Sequence, residues 1–129
     1  MKKKVLLIED ADVDALITRK IIEKIDRSVE FTHYNSGSEG LKYLKSLDSK
    51  NYPNLILVDL MMPIMDGFQF LERFEQEVYP KHPDSSIVVL TSSVDKRDRM
   101  KLKHLKCVKD FWVKPFSQDM ASKMMAWLK

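Results

Sequence analysis

The chain is poor in glycine, and this excludes the common phosphate-binding loops. Its 129 residues contain three glycines, Gly37, Gly40 and Gly67. Their spacing cannot form the glycine-rich motif of dinucleotide-binding folds or the loop that holds the phosphates of ATP. The sequence also lacks the G-x-S-x-G and H-E-x-x-H motifs of hydrolases. The three histidines are scattered without metal-ligand spacing, so we expect each to be a surface or packing residue.

Cysteine, net charge and long apolar runs are equally scarce. Cys107 is the only cysteine, so no internal disulfide can form, which fits a reducing cytosol and predicts a cytoplasmic protein. The formal net charge of +3 is too small to indicate nucleic-acid binding. The apolar runs reach only four or five residues, so no segment is expected to span a membrane. The apolar stretch after the N-terminal lysines ends at Glu9, too soon for a secretory signal.

What the sequence does contain is a set of short apolar runs that each end in a polar group. Runs of this length without alternation are typical of strands buried on both faces of a parallel sheet. The runs end, in chain order, at the acid pair Glu9-Asp10, at Asp59, at Thr91 and at Lys114. Parallel strands bring such endings together at one edge of the sheet, where α/β folds place ligands. Carboxylates gathered there suit a divalent cation beside an acid that can take a phosphoryl group.

Segments with helical features separate these runs. Strand and helix alternate five times, which predicts an α/β fold: a doubly wound five-stranded parallel sheet with five helices on its two faces. We expect one domain over residues 1–129, with no second domain after the last helix. The first expected helix covers residues 13–26, with Asp10 or Asp12 as its cap and apolar residues at helical spacing: Val13, Leu16, Ile17, Ile21 and Ile25. The second is opened by the capping box 36–39, and the third begins at Asp66, with Phe68, Phe70, Leu71 and Phe74 mainly facing inward. The fourth runs from Asp95 to about Lys106, and the fifth is capped by Ser117 and carries Met120, Met124 and Leu128.

Four motifs together resemble those of a response-regulator receiver domain, the phosphoacceptor module of two-component signalling. They are Leu-Leu-Ile-Glu-Asp at 6–10, Leu-Val-Asp-Leu-Met-Met-Pro-Ile-Met-Asp-Gly at 57–67, Val-Leu-Thr-Ser-Ser at 89–93 and Val-Lys-Pro-Phe at 113–116. The resemblance covers essentially the whole chain. It implies the flavodoxin-like strand order 2-1-3-4-5 and a single-domain receiver that acts as a phosphorylation-dependent switch rather than as an enzyme.

The resemblance also assigns roles to individual residues. Asp59 matches the phosphoacceptor, and Mg²⁺ is implied as the cofactor. The implied metal ligands are Glu9, Asp10, Asp59 and the backbone carbonyl of Met61. Thr91 and Lys114 would bind the phosphoryl group, and the Lys114–Pro115 peptide bond resembles the family's cis bond. Thr91 and Phe111 match the switch pair, although the residues alone leave Phe111 equally well explained as plain core.

Two features depart from the common pattern of the family or fall on its variable positions. The acid pair is Glu-Asp where Asp-Asp is commoner, which could loosen the metal geometry. Met61 and Ser93 occupy the variable positions that tune phosphoryl lifetime in relatives. A thioether is a poor partner for an attacking water, so slow loss of the phosphoryl group is expected.

Two other classes of protein remain as alternatives. A phosphatase of the haloacid dehalogenase type also uses a strand-end aspartate, Mg²⁺, a threonine and a lysine. Those enzymes need a second aspartate two residues after the nucleophile, where this chain has Met61. A phosphorylation-independent interaction module is the other alternative, and the full acceptor set argues against it.

The implied partners are a histidine kinase or a histidine phosphotransfer protein, together with a downstream protein. The family's usual output surface is formed by helix four, strand five and helix five. Cationic residues crowd this region, although a solvated helix face would explain them as well. They are Lys96, Arg97, Arg99, Lys101, Lys103, Lys106 and Lys109. Met125 and Trp127 lie off the apolar stripe of the last helix, and an exposed Trp127 would suit a partner or a homodimer.

Overall fold

The structure is a computed structural model that describes residues 3–62, 67–92 and 95–128. Within these ranges, five strands alternate with five α-helices, and two short 3₁₀ turns complete the order. The elements are β1 (Lys4–Ile8), α1 (Asp12–Ile25), β2 (Glu30–Tyr34), α2 (Gly37–Ser46), a 3₁₀ turn (Ser49–Asn51), β3 (Leu55–Asp59), α3 (Gly67–Glu77), β4 (Ile87–Thr91), α4 (Lys96–Lys101), β5 (Val108–Val113), α5 (Gln118–Met124) and a second 3₁₀ turn (Met125–Leu128).

The strands form one parallel sheet in the order β2-β1-β3-β4-β5. This confirms the flavodoxin-like order implied by the resemblance. From β1, the chain first adds β2 on one side and then β3 on the other side. The carboxyl ends of β1 and β3 therefore lie side by side near the centre of the sheet. That point is where open α/β sheets form their ligand crevice.

Alternating side chains of the strands enter two apolar layers, one on each face. On β3, Ile56 and Val58 pack with α2 and α3, while Leu55 and Leu57 pack with α1 and α5. All five residues of β3 and of β4 are buried, as the unbroken apolar runs predict. No helix in the described part of the chain is long and apolar enough to cross a membrane.

Helix α1 forms where expected, but most of its apolar stripe faces solvent, and only Ile21 of that stripe packs against the core. The exposed fraction is 69% for Val13, 52% for Leu16 and 47% for Ile17. The helix instead buries Ala15, Thr18 and Ile22 against the sheet. Small side chains on the inner face let α1 lie close to the strands, and Thr18 satisfies its buried hydroxyl by donating to the carbonyl of Asp14 at 2.9 Å.

The capping residues were predicted correctly for two helices and wrongly for α1. Ser36 and Ser117 are N-caps, and their hydroxyls accept from the backbone N–H of Glu39 and of Met120 at 3.2 Å each. Helix α1 has Ala11 at its N-cap, without a side-chain cap. Asp10 belongs to a cluster of acids at the sheet edge. The start of α3 at Asp66 lies outside the described residues.

Helix α4 is shorter than expected and ends at Lys101 rather than near Lys106. Cationic residues three and four apart repel one another along this helix and weaken its last turn. The carboxylate of Glu75 on α3 accepts from the backbone N–H of Lys106 and of Cys107, each at 3.0 Å. These two bonds hold residues 106 and 107 outside the helix and deliver the chain to β5.

Trp127 is half-buried, so the expectation of an exposed tryptophan is wrong. Its ring meets the ring of Trp112 edge-on, with centroids 5.9 Å apart, and Met125 packs against the same apolar layer. The chain tightens into the 3₁₀ turn after Met124, which turns these side chains inward. A homodimer stays a prediction.

Gly67 is required by the close approach of α3 to the end of β3. A Cβ at this position would lie 2.4 Å from the Leu60 Cα and 2.5 Å from the Asp59 carbonyl oxygen. The Gly67 N–H also donates to the Leu60 carbonyl at 2.9 Å. Glycine therefore fixes the backbone that carries Asp59.

Gly67→Ala is expected to destabilise the protein by roughly 2–3 kcal/mol, because the added methyl meets backbone that cannot move aside. Gly40→Ala is the matched control, since its Cβ would meet the far end of the Ile8 side chain. We expect the control to change stability by less than about 1 kcal/mol, as gained helix propensity offsets the shift of Ile8. Urea denaturation measures both. Equal effects would show that backbone contact does not decide the requirement.

Candidate functional site

The polar ends of four strands meet at the carboxyl edge of the sheet. Asp59 is the last residue of β3 and Thr91 the last of β4, and both are buried. Glu9 directly follows β1 and Lys114 directly follows β5. The sequence prediction that these endings share one site is confirmed by the contacts among them.

The ammonium group of Lys114 lies among three carboxylates. Its Nζ is 2.6 Å from Glu9 Oε1, 3.0 Å from Asp14 Oδ2 and 3.3 Å from Asp59 Oδ2. Glu9 and Asp59 are almost completely enclosed, while Lys114 keeps a narrow opening to solvent. Lys114 thus neutralises charge that the sheet edge would otherwise hold unpaired.

Backbone contacts hold the lysine and both strand-end acids in place. The Lys114 N–H donates to the Thr91 carbonyl at 2.8 Å, which joins the ends of β4 and β5. The Lys114–Pro115 peptide bond is cis, as the resemblance implies. His33 Nε2 is 2.7 Å from the Glu9 carbonyl oxygen and donates to it. The Met61 N–H donates to Asp59 Oδ1 at 3.2 Å.

Three acids at this edge form a group that could hold a metal ion. One oxygen from each of Glu9, Asp10 and Asp59 lies within 4.8 Å of the others. Carboxylate oxygens gathered this closely are the hard donors that Mg²⁺ prefers, so Glu9, Asp10 and Asp59 would hold the ion here. An all-oxygen donor set with one exposed member, Asp10, also leaves room for the waters that Mg²⁺ retains.

Burial, together with the neighbouring Asp59 carboxylate, raises the pKa of Glu9 to about 8, and Lys114 opposes the shift. The acid cluster therefore stores like-charge repulsion that a bound cation would relieve. Burial acts to lower the pKa of Lys114, but its contacts with Glu9 and Asp14 outweigh burial and hold that pKa above the ordinary lysine value. Lys114 stays charged throughout the physiological range.

The remaining residues assigned by the resemblance lie around this centre. Phe111 is half-buried on β5, and the Arg99 guanidinium lies 5.7 Å from its ring centroid. The Met61 side chain is 61% exposed beside Asp59. Ser93 lies outside the described residues. The roles of Phe111 and Ser93, and of the Met61 carbonyl as a metal ligand, stay predictions.

Asp14 is the site residue that sequence reasoning missed. It lies in the first turn of α1 and contacts Lys114 across the mouth of the site. A signal was present, because Asp14 lies in the first turn of a helix that begins directly after the predicted acid pair Glu9-Asp10. Asp14 was missed because an acid in the first turn of a helix is already explained by its favourable interaction with the helix dipole.

The chain belongs to the family of response regulator receiver domains, whose pattern matches residues 5–126. The chemotaxis protein CheY of Listeria monocytogenes is 32% identical over 114 residues, which are 88% of each chain. The sensor histidine kinase CheAY of Helicobacter pylori is 37% identical over 97 residues, 75% of this chain but only 11% of the kinase. A two-component response regulator from Cytophaga hutchinsonii superposes with a TM-score of 0.87 at 27% identity, covering 98% of this chain and 96% of that one.

Family membership defines the general role of the domain. Receiver domains are phosphorylation-dependent switches of two-component signalling and are not conventional enzymes. They interact with histidine kinases and phosphotransfer proteins. The haloacid dehalogenase alternative and the phosphorylation-independent module receive no support from these relatives.

The raised pKa of Glu9 predicts how stability without metal depends on pH. The pKa of Glu9 is about 8 in the folded protein and has its ordinary value of 4.5 in the unfolded chain, so between these values the folded state holds a proton that the unfolded chain has released. Stability should therefore fall as pH rises through this window. In chelator, Glu9→Gln should reduce that fall by roughly 2 kcal/mol, a figure that allows for relaxation around the site.

Urea denaturation at the two ends of the window measures the effect, and Glu23→Gln is the control. Glu23 is an exposed acid on α1 that pairs with Arg19 at the surface, so its loss should leave the pH dependence unchanged. Added Mg²⁺ should restore stability to the wild type most strongly at high pH, because it binds the ionised acids. An undiminished pH dependence in Glu9→Gln would place the responsible group elsewhere.

Proposed function

We propose that this chain accepts a phosphoryl group on Asp59 from a phosphohistidine of a partner protein. The observation that carries the proposal is the environment of the Asp59 carboxylate. It is buried at a strand end, and its two oxygens are held separately by Lys114 and by the Met61 N–H. A carboxylate fixed in this way is oriented for attack rather than free to rotate.

The transfer forms one bond and breaks another. An oxygen of Asp59 attacks the phosphorus, the phosphorus–nitrogen bond of the donor histidine breaks, and its electron pair returns to the imidazole. Lys114 contacts the phosphoryl oxygens and offsets their charge, and the Thr91 hydroxyl donates to one of them. Mg²⁺ bound by Glu9, Asp10 and Asp59 would supply further neutralisation of that charge. With a small-molecule donor such as acetyl phosphate, the same residues perform self-phosphorylation.

Asp59→Asn is expected to abolish labelling, because the amide is a poor nucleophile and carries no charge. Protein incubated with acetyl phosphate and Mg²⁺ is analysed by intact mass for the gain of one phosphoryl group. Asp119→Asn, at an exposed position on α5, should label as the wild type does. Full labelling of Asp59→Asn would place the acceptor on another residue.

The exposed apolar face of α1 is the surface we propose for docking of the phosphohistidine donor. Asp14 and Ile17 of α1 line an open cavity of about 340 Å³ together with Lys114 and Phe116, so this face continues directly into the site. A donor histidine must reach Asp59, and its protein must therefore cover this rim. Leu16 and Ile17, each about half exposed, provide the adjacent apolar area that such a contact would bury.

Leu16→Gln should slow transfer from a phosphorylated histidine phosphotransfer domain by about tenfold, the effect of losing one buried aliphatic contact. Labelling by acetyl phosphate should be unchanged, because that donor needs no docking surface. Met100→Gln is the matched control, since Met100 is 67% exposed on α4, away from this face. Equal slowing with both donors would point to damage at Asp59 rather than to docking.

The output surface we propose is the face of α4, β5 and α5. An open groove of about 590 Å³ between α4 and β5 is lined by Arg99, Lys103, Lys109 and Phe111. Arg99 over the ring of Phe111 links this groove to the residue matched to the family's switch aromatic. Movement of Phe111 would therefore change both the shape and the charge that a downstream protein meets.

A further inference from the structure

Lys114 has no hydrogen-bond donor to spare in this structure. A lysine ammonium carries three N–H donors and no acceptor. Three carboxylate oxygens lie within reach, from Glu9, Asp14 and Asp59. A phosphoryl oxygen can bind Lys114 only if one of these acceptors gives way.

The three acceptors differ in how easily they can release the lysine. The side chains of Glu9 and Asp59 are 2% and 6% exposed, so until the bond to phosphorus forms, either acid would be left with a buried oxygen that has lost its donor and gains no water in its place. The Asp14 side chain is 47% exposed, and water can solvate it as soon as the contact breaks. Release of Asp14 therefore has the smallest free-energy cost.

Asp14 also stands apart by position. Glu9 and Asp59 follow or end strands and belong to the acid cluster that could hold a metal ion. Asp14 lies outside that cluster, on α1, and reaches Lys114 from the mouth of the site. Asp14 can therefore release Lys114 without disturbing the residues that would hold a cation or the phosphoryl group.

We infer that Asp14 is a positioning residue that holds Lys114 while Asp59 is unmodified and releases it to the incoming phosphoryl group. The inference rests on the proposed function, since it takes Lys114 as the group that contacts the phosphoryl oxygens. Asp14 competes with the phosphoryl group for one N–H donor. The strength of its contact therefore sets part of the cost of phosphorylating Asp59.

The test is the initial rate of labelling by acetyl phosphate at fixed Mg²⁺. Asp14→Asn replaces a charged acceptor with a neutral one of the same shape, so labelling should become about fivefold faster, as expected for a half-exposed charge-assisted contact. Asp14→Glu restores the charge and should label close to the wild-type rate. Asp12→Asn, an exposed acid in the same helical turn, controls for the loss of one negative charge and should have little effect.

A second measurement separates action through Lys114 from action of charge at a distance. In a Lys114→Met background, labelling should be slow because the charge on the phosphoryl oxygens is not offset, and adding Asp14→Asn should change it no further. A persisting increase there would overturn the inference, as would equal or slower labelling of Asp14→Asn beside native Lys114. If wild-type protein gains no phosphoryl group, the proposed function fails first and this inference fails with it.

Discussion

One ammonium group among buried carboxylates is the interaction on which the site depends. A parallel sheet gathers the ends of its strands, and here those ends carry several acids of like charge. Lys114 lets Glu9 and Asp59 remain enclosed beside one another. Without a cation at this position, the edge of the sheet would have to open to water or hold protons more tightly than Glu9 already does.

The backbone around this ion cluster is as constrained as its side chains. The end of β5 is bonded to the end of β4 through Lys114 and Thr91. The end of β3 is held by α3, whose first described turn approaches so closely that only glycine fits at position 67. The acid and the lysine are therefore fixed by separate elements that meet only at the site, which keeps their separation independent of surface loops.

Much of the fold and the centre of the site could be predicted from the sequence, because both depend on short local patterns. Unbroken apolar runs indicate buried parallel strands, and the residues that end them must share an edge. The exposed stripe of α1 could not be predicted in this way, because helical spacing shows that a stripe exists but not which side faces the sheet. Ala15 and Thr18, the small residues that α1 buries, carry little hydropathic signal.

Other misses arose where distant contacts override local preference. Lys106 and Cys107 are kept out of a longer α4 by Glu75, which lies about thirty residues earlier in the chain. The half-buried state of Trp127 depends on Trp112 of β5. The contact between Asp14 and Lys114 spans one hundred residues and joins two elements at the same edge. No pattern confined to one segment reports such pairings.

The anchoring of the chain after α4 has a mechanical consequence. No residue of Lys96–Lys101 is buried, whereas Leu102, Leu105 and Cys107 immediately after it are. Glu75 holds Lys106 and Cys107, directly before β5, so α4 is a short exposed helix whose C-terminal side is anchored to the core. A shift or partial unwinding of α4 would leave the register of β5 unchanged. It would also uncover little apolar area, because no residue of the helix is buried. Moving α4 would therefore cost little free energy, and a partner that prefers a moved helix would need only a small difference in affinity to stabilise it.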